Sequence, residues 1–410
     1  MRHVIVGAGP AGVVAAETIR RREPGAEITL IGGEAGEPYA RMAIPYFLTG
    51  KIGENGAALR KTRDHYKAMN IRVVFGRAAK LDAQTRELTL ADGTRLPFDR
   101  LLIATGASAV SPPIPGIDLS GVHNCWTLDD ARAIVARAQK GADVVLIGAG
   151  FIGGIILESL VERGVKLTVI ESESRMLPKM MDDAGGALIR HWCESKGITV
   201  LTGTRTKGIE KAGGKLAVVL DKGAALPADL VVVATGVKAN TDFLAGSGIA
   251  LDGGVVVDSH LSAQGDVIFA AGDCARGPDF SGGFMVHAIQ PTAVEHGRIA
   301  AVNMTGGNAR YKGSLIMNVL DTAGLISASF GHWQGGHGGE EASALDAGAF
   351  RYTHLSFADG RLVGALVIGR TDHVGAIRGL IQCRTPLGAW KARLMRDPTR
   401  VAEAFVSHVS

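Results

Sequence analysis

The sequence is poor in the features that mark several common classes of protein. Aromatic residues make up only 5% of its 410 residues, which argues against single-stranded nucleic-acid binding by base stacking. The formal net charge of +4 is too small to predict a nucleic-acid partner, although it is compatible with an acidic protein partner.

Cysteine and long apolar runs are scarce as well. The four cysteines, at positions 125, 193, 274 and 383, form no CxxC pair, so neither a disulfide framework nor a paired-thiol relay is predicted. Such scattered cysteines fit a reducing, cytoplasmic setting. The longest apolar stretch, 144–157, is shorter than the roughly 20 residues that cross a bilayer, so no membrane partner is predicted.

Glycine, by contrast, is abundant. The 56 glycines are about 14% of the chain, against about 7% in an average protein, and they follow no collagen-like period. The excess predicts tight turns or close approach of backbone to ligands. With hydrophobic residues at 46%, the chain can bury a large core, and its length predicts two to four domains.

Two segments share the pattern of a strand, a glycine-rich turn and a helix. HVIVGAGPAGVVAAETIRRR opens with a predicted strand over 3–6, and DVVLIGAGFIGGIILESLVERGVKLTVIES has its predicted strand over 143–147. Each unit continues into a second strand with an acid at or soon after its end, Glu34 in the first and Glu171 in the second. A duplicated GxGxxG in this context is a strong indication of two dinucleotide-binding sites.

The three glycines of each loop suit a pyrophosphate group. The first permits the tight turn, the second lets phosphate approach the backbone, and the third lets helix and strand pack closely. Free N–H groups at the helix N-terminus favour the same anion. The positions concerned are Gly7, Gly9 and Gly12 in the first loop, and Gly148, Gly150 and Gly153 in the second.

Further motifs follow in a fixed order. Apolar strands end in Ala-Thr-Gly at 104–106 and 234–236, and another ends in Gly272-Asp273. The proline-rich stretch 111–115 is typical of a domain crossover. After about residue 311, alternating apolar residues predict antiparallel strands, and a basic helix is predicted over roughly 374–396.

Together these motifs resemble the glutathione-reductase-like pyridine nucleotide oxidoreductases. The segment EPYARMAIPYFLTGK and the C-terminal strands are most similar to the thiol-independent branch, which includes rubredoxin and ferredoxin reductases and the flavin portion of nitrite reductases. The resemblance implies an α/β fold with two Rossmann-like domains and a C-terminal α+β domain. An NAD(P)-binding domain at 114–238 would be inserted in an FAD-binding domain at 1–113 and 239–308, and the C-terminal domain would cover 309–410.

The resemblance also implies roles for particular residues. Asp273 would bind the ribityl chain of FAD, the helix that begins at Pro291-Thr292 would point at the flavin pyrimidine, and Arg41 and Met42 would flank the isoalloxazine. No catalytic side chain and no metal ligand is predicted. The full set implied for FAD and NAD(P)H is Gly7, Gly9, Pro10, Ala11, Gly12, Glu34, Arg41, Met42, Ala79, Thr105, Gly106, Gly148, Gly150, Phe151, Ile152, Gly153, Glu171, Gly236, Gly272, Asp273, Pro291 and Thr292.

Simpler alternatives stay open for several of these positions. Asp273 could only cap the next segment, and Pro291-Thr292 could be a plain helix start. Arg41 and Met42 could be a packed surface arginine and a core methionine. The glycine pair before Glu34 leaves its contact with the adenosine ribose open.

The second loop predicts NADH as the preferred donor. An acid at the position of Glu171 hydrogen-bonds the ribose 2′-hydroxyl and repels a 2′-phosphate, although Arg175 could accommodate that phosphate. Ile155 stands where many relatives carry a glutamate near the nicotinamide, so slower or differently positioned hydride donation is expected. Met42 stands where single-cysteine relatives carry their redox thiol, which disfavours thiol chemistry.

The predicted function is therefore an FAD-dependent NADH oxidoreductase that reduces an acidic carrier of ferredoxin or rubredoxin type. Two alternatives stay open: a reductase of a small acceptor such as oxygen or a quinone, and an NADH-binding switch that resembles apoptosis-inducing factor. A homodimer is also possible. The basic residues Arg378, Arg384, Lys391, Arg393, Arg396 and Arg400 predict either a docking patch or a solvated helix face.

Two other groups of residues are weaker candidates. His332, His337, Glu340 and Glu341 lie in a glycine-rich segment whose spacing matches no standard zinc site. The thiols of Cys125 and Cys383 are expected to be buried or inert.

Overall fold

The computed structural model describes residues 1–335 and 339–409 and contains two compact units. The first unit consists of residues 1–108 and 237–314, and the second of residues 109–236 and 315–410. The first corresponds closely to the predicted FAD domain, and the predicted NAD(P) and C-terminal domains fall together in the second. The assignment of each domain to a cofactor stays a prediction.

The elements of the first half of the chain are as follows. Residues 1–109 form β1 (Arg2–Val6), α1 (Pro10–Arg22), β2 (Glu27–Gly32), α2 (Ile44–Leu48), α3 (Glu54–Ala57), α4 (His65–Ala68), β3 (Arg72–Phe75), β4 (Ala78–Asp82), β5 (Glu87–Leu90), β6 (Arg95–Pro97), β7 (Arg100–Ile103) and β8 (Ala107–Ala109). Residues 110–236 form β9 (Val122–Asn124), α5 (Leu128–Arg137), β10 (Asp143–Ile147), α6 (Phe151–Glu162), β11 (Lys166–Ile170), α7 (Asp183–Ser195), β12 (Thr199–Leu201), β13 (Thr206–Ala212), β14 (Lys215–Leu220), β15 (Leu226–Ala228) and β16 (Leu230–Val233).

The second half continues in the same way. Residues 237–314 form β17 (Val237–Ala239), β18 (Val255–Val256), β19 (Ser262–Gln264), β20 (Ile268–Ala270), β21 (Ala275–Pro278), β22 (Phe284–Val286) and α8 (Gln290–Met304). Residues 315–409 form β23 (Met317–Thr322), β24 (Leu325–Gly331), β25 (Glu340–Asp346), β26 (Arg351–Ala358), β27 (Arg361–Ile368), α9 (Val374–Gln382), α10 (Ala389–Arg396) and α11 (Val401–Val409). Short 3₁₀ turns lie at Arg41–Ala43, Asp242–Leu244, Gly272–Cys274 and Pro398–Arg400.

The first unit is built on a six-stranded sheet in the order β19-β20-β7-β1-β2-β3. Its strands are parallel except β19. The continuous apolar runs of β1, β2 and β7 form the buried centre of such a sheet. Val6 is level with Ile31 and Ile103, so the loops that follow these three strands meet at one edge. Ligands of open α/β sheets bind at this edge.

The second unit contains a parallel sheet of the same kind in the order β12-β11-β10-β16-β9. Ile147 is level with Ile170 and Val233, so the second glycine loop also starts at a carboxyl edge. A five-stranded antiparallel sheet, β23-β24-β27-β26-β25, confirms the predicted C-terminal strands.

The predicted basic helix over 374–396 is wrong as a single element. The segment forms two helices, α9 and α10, and α11 follows them. The break contains Pro386, which has no backbone N–H, and Gly388, whose φ of +53° is outside the helical region. In the described part of the chain, no helix has the length and apolar character needed to cross a membrane.

A fourth glycine beside the second loop has a packing role. Helix α6 lies against β23, and a Cβ added at Gly154 would come within 2.6 Å of Leu320 Cδ2. Gly154 therefore allows the C-terminal sheet to approach this helix closely.

Candidate dinucleotide sites

The three glycines of the first loop have different surroundings, as expected for a loop that binds phosphate. A Cβ on Gly7, whose φ is +118°, would lie 1.9 Å from the Ala104 carbonyl oxygen, and one on Gly12 would lie 1.9 Å from the Gly7 carbonyl oxygen. A Cβ on Gly9 would meet no atom within 4 Å. The first and third glycines are thus required by the protein's own backbone, whereas the second faces open space in which a ligand can approach.

The second loop repeats this arrangement. Cβ atoms on Gly148 and Gly153 would lie 2.6 Å from the Ala234 carbonyl oxygen and 2.0 Å from the Gly148 carbonyl oxygen, and Gly150 faces open space. The helices that start at the two loops, α1 and α6, are fully described and carry no acid in their first turns. Their positive N-terminal ends are therefore not neutralised from within the helix.

A second helix N-terminus joins the first at Gly272. A Cβ on Gly272 would lie 3.3 Å from Ala11 Cβ and 3.4 Å from Ala293 Cβ, which places it between the first turns of α1 and α8. The N-cap of α8 is Ile289, and the Thr292 hydroxyl lies 2.6 Å from Ser314 Oγ. Pro291 and Thr292 lie in the first turn of α8, as in a plain helix start, and the role of this turn toward a flavin stays a prediction. The N–H groups of the turn receive no side-chain cap from Ile289.

Asp273 follows in a partly buried position. Burial raises the pKa of its carboxyl group, and the positive charge of Arg41 partly opposes this effect. Among the described residues, its carboxylate caps no helix, so the simpler alternative is not supported. Donor hydroxyls would stabilise a carboxylate in this position, and a ribityl chain supplies such groups.

The segment after β2 provides polar anchors and an apolar surface. Glu34 Oε2 accepts a hydrogen bond from the Tyr39 hydroxyl at 2.6 Å, and its Oε1 accepts one from Arg41 Nη2 at 2.5 Å. Met42 is 56% exposed and Tyr46 is 55% exposed, one helical turn apart. The alternative that Met42 is a core methionine is therefore wrong. The two side chains offer an apolar surface to a flat ring.

Glu171 ties the end of β11 to the second loop. Its side chain is buried, its Oε2 accepts a hydrogen bond from Ala149 N at 2.8 Å, and its Oε1 accepts one from Glu173 N at 2.9 Å. The Arg175 side chain contacts the segment that follows it in the chain. Its Nη1 lies 2.8 Å from Asp183 Oδ1, and its Nε lies 2.9 Å from the Met181 carbonyl oxygen.

The other predicted residues lie at the same two strand edges or at the start of the two helices, with one exception. Thr105 Oγ1 donates to the Asn240 carbonyl oxygen at 2.7 Å, and Gly106 and Gly236 have φ angles of +64° and +126°. Ala79, the exception, is an exposed bulge residue of β4. The residues in the first turns of the two helices are Pro10 and Ala11 in α1, and Phe151 and Ile152 in α6.

Comparison with known proteins identifies the family. The pyridine nucleotide-disulphide oxidoreductase family matches residues 1–297. The chain belongs to this family. Over 411 aligned residues, the oxidoreductase is 31% identical to the NADH-dependent phenylglyoxylate dehydrogenase subunit epsilon of Aromatoleum evansii, covering 99% of this chain and 97% of the relative.

Two further similarities extend over the whole oxidoreductase. It is 30% identical to the ferredoxin–NAD(+) reductase component of the anthranilate 1,2-dioxygenase system of Burkholderia cepacia, over 98% of this chain and 97% of that one. A ferredoxin reductase from Rhodopseudomonas palustris has a structure with a TM-score of 0.85 and 26% identity, covering 94% of this chain and 95% of that chain. The predicted fold is confirmed, and the family binds FAD and NADH.

The residues present fit both cofactors. Each loop leaves only its middle glycine open to a phosphate, and in the first unit two helix N-termini, Asp273 and an exposed apolar surface belong to the same sheet edge or to the segments that follow it. The apolar surface matches what a flavin ring requires, and the open glycines match what a dinucleotide requires.

Sequence reasoning missed a buried polar cluster at the start of α8. Its members are linked by hydrogen bonds, a ring contact or electrostatic interactions and come from separate segments of the first unit: Asp279, His287, Thr292, His296, Tyr311 and Ser314. The only signal in the sequence is a pair of histidines that flanks the start of the helix.

The surroundings of the described thiol and metal candidates do not form a reactive-thiol site or a metal site. Burial raises the pKa of Cys125 and of Cys193 to about 12, so neither forms a thiolate readily. Cys383 is exposed, contrary to a buried position. Among the described residues, no group of three or more His, Cys, Asp or Glu side chains could hold a metal ion, and His337 lies outside those residues.

Proposed function

We propose that this oxidoreductase passes electrons from NADH through FAD to a separate acidic carrier protein of ferredoxin or rubredoxin type. The observation that carries the proposal is the pair of loops in which only the middle glycine is open to a ligand. When bound, FAD supplies the chemistry, because it accepts a hydride from NADH and releases electrons one at a time.

The residues of the first unit would bind and orient FAD. The first turn of α1 and the open face of Gly9 hold the pyrophosphate, and Glu34 accepts hydrogen bonds from the adenosine ribose. Asp273 accepts hydrogen bonds from the ribityl chain. The positive end of α8 stabilises negative charge on the pyrimidine side of the ring. No side chain is needed as an acid or base for the hydride step.

The second unit supports NADH as the preferred donor. The buried carboxylate of Glu171 repels a 2′-phosphate. It keeps one acceptor position for a ribose hydroxyl after it accepts hydrogen bonds from Ala149 N, Glu173 N and the Ser172 hydroxyl. Arg175 would have rescued NADPH binding, but its guanidinium is held by Pro178, Met181 and Asp183.

Charge on the C-terminal helices supports an acidic carrier. Lys391 and Arg400 are paired with Glu340 and Glu403. The cations with neutral partners are Arg378, bonded to Gln382, Arg393, over the Trp390 ring, and Arg396, bonded to the Ala392 carbonyl oxygen. These three arginines keep their charge for an external partner. Relatives named as ferredoxin and rubredoxin reductases are consistent with such a partner.

We also place the protein in the cytoplasm. All four cysteines are free, which fits a compartment that keeps thiols reduced. Cell fractionation with antibody detection tests this placement, and recovery from an oxidising compartment would contradict it.

Anaerobic titration of the purified holoprotein with NADH tests the proposed function. We expect a yellow protein whose flavin absorption bleaches with about one NADH per FAD. In stopped flow, the reduced protein should then be reoxidised faster by a ferredoxin or rubredoxin than by oxygen. Faster reoxidation by oxygen or a quinone would favour the small-acceptor alternative. Slow bleaching with an NADH-dependent change in oligomeric state would favour the binding switch.

A further inference from the structure

The buried polar cluster at the start of α8 contains a carboxylate–imidazole pair that the proposed function does not use. His287 lies three residues before Gln290, the first residue of α8, and only 6% of it is exposed. Its Nε2 is 3.0 Å from Asp279 Oδ1, and both side chains are almost fully buried. Among the described residues, neither atom has a hydrogen-bond partner of good geometry. The two side chains are therefore in close polar contact without a linear hydrogen bond.

The carboxylate of this pair is held ionised. Burial acts to raise the pKa of Asp279, but the contact with His287 and the N–H of Ser281 outweigh it, so its pKa lies below the ordinary value. A buried carboxylate beside an imidazole is an arrangement that stabilises one additional proton on the ring.

The two other titratable groups of the cluster, His296 and Tyr311, stay neutral near pH 7. On α8, burial and the neighbouring His287 lower the pKa of His296 to about 4, and its Nδ1 accepts a hydrogen bond from Gly272 N at 3.3 Å. From the segment after α8, burial raises the pKa of Tyr311 to about 12, and its hydroxyl donates to Ser314.

The fold brings His287 close to the residues proposed to hold the flavin. Strands β21 and β22 pair Arg276 with Val286, which places Ala275 opposite His287 and therefore two residues from Asp273. On its other side, the chain runs directly into the first turn of α8. His287 therefore lies between the segment that follows the ribityl-binding residue and the helix end that faces the pyrimidine.

We propose that His287, paired with Asp279, takes up a proton when the flavin is reduced and so balances the negative charge of the reduced ring. If NADH gives its hydride to bound FAD and is released as NAD+, the flavin would become its anionic reduced form, and one proton would pass from solvent to the imidazole. When two electrons leave one at a time for carriers, the flavin proton and the imidazole proton return to solvent. His287 acts through charge and is a positioning residue rather than a catalytic one. The proposal rests on the proposed function, because it needs bound FAD.

The test is the midpoint potential of the holoprotein flavin as a function of pH, measured with a chemical reductant and indicator dyes. Between about pH 6 and pH 8, we expect the wild type to take up about two protons per two electrons, and His287→Gln about one. Asp279→Asn should move the uptake of the additional proton to lower pH, because a neutral amide stabilises the imidazolium less.

His260→Gln is the matched control. His260 also contacts an aspartate, with its Nδ1 3.5 Å from Asp258 Oδ2, but its carbonyl oxygen accepts a hydrogen bond from Asn303 near the other end of α8. Asn303 is eleven residues beyond Thr292, or about 16 Å along the helix axis. We expect this variant to keep the proton uptake of the wild type.

Each outcome decides the matter. Uptake of one proton by the wild type, or of two by His287→Gln, would overturn the role of His287. If His287→Gln loses FAD, Asp279→Asn supplies the answer, and an unshifted pH dependence in that variant counts against the proposal. A wild-type protein that binds no FAD, or whose flavin NADH does not reduce, would instead refute the proposed function.

Discussion

At the scale of single residues, replacing a loop glycine by alanine adds one methyl group. Its position in the loop decides whether the methyl group would disturb the fold or only occupy open space. Alanine at Gly12 or Gly153 would collide with a backbone carbonyl, and nothing nearby can give way. Alanine at Gly9 or Gly150 would meet no atom of the protein. The middle glycines therefore face open space, and we predict that a ligand occupies it.

We expect Gly9→Ala to keep the melting temperature of the wild-type apoprotein but to lose most of its FAD. Gly150→Ala should keep FAD and raise KM for NADH by about tenfold or more, because the new methyl group occupies space that the pyrophosphate needs. Differential scanning fluorimetry, flavin absorption and steady-state kinetics give the three readouts. Gly12→Ala is the control that should fail to fold, and full FAD content in Gly9→Ala would contradict the assignment of the first loop.

Donor choice is also decided by single residues. Glu171→Gln should lower kcat/KM for NADH by about tenfold, since a hydrogen bond to a charged group contributes about 1.5–3 kcal/mol, and it should lower kcat/KM for NADPH less. Arg175→Met is the control, because its guanidinium is already held within its own loop, and we expect an unchanged ratio of the two donors. A wild-type preference for NADPH would contradict the role of Glu171.

At the scale of elements, α1 is anchored by charge as well as by apolar packing. Glu17, whose side chain is 8% exposed, accepts hydrogen bonds from Arg60 Nε at 2.5 Å and Nη2 at 2.7 Å, and lies 2.9 Å from His65 Nε2. Burial acts to raise the pKa of Glu17, but the contact with Arg60 reverses this effect and lowers it. The helix that begins at the first loop is thereby held to the segment 54–68.

Arg60→Met should lower the free energy of unfolding at pH 7 by about 2 kcal/mol, because an ionised carboxylate loses its bidentate partner. Since the pKa of Glu17 is lowered in the folded protein, its stabilisation is complete above the ordinary value of 4.5 and is lost as the pH falls further. Urea denaturation at several pH values should thus show the two proteins converging in acid. Arg63→Met, at a 96% exposed side chain, should change nothing, and a constant difference at all pH values would contradict the assignment.

At the scale of the whole molecule, we predict that the C-terminal arginines with neutral hydrogen-bond or ring partners help to recruit an acidic carrier. Arg393→Gln with Arg396→Gln should slow reduction of an acidic carrier several-fold at low salt, and the difference should disappear as salt is raised. The NADH-to-dye rate should not change. Arg400→Gln is the control, since Glu403 already neutralises that charge. Equal salt responses of the carrier and dye reactions would contradict a docking role.

The sequence by itself determined the local units and the sites that depend on them. Strand, turn and helix at residues 2–22 and 143–162 follow from apolar runs and glycines that are neighbours in the chain, so both loops and the acid at the end of β11 could be predicted. The prediction of one basic helix over 374–396 underestimated Pro386 and Gly388, although their local effect was already readable.

Only the tertiary structure decided which side chains meet. Asp279, His287 and Ser314 come from three segments and become a cluster because two strands and a helix fold back on one another. The need for glycine at position 154 is visible only once β23 lies against α6, and the acceptors that hold the Arg175 guanidinium are visible only in the fold. Such contacts depend on packing between distant segments, whereas a pattern in the sequence reports only what neighbouring residues favour.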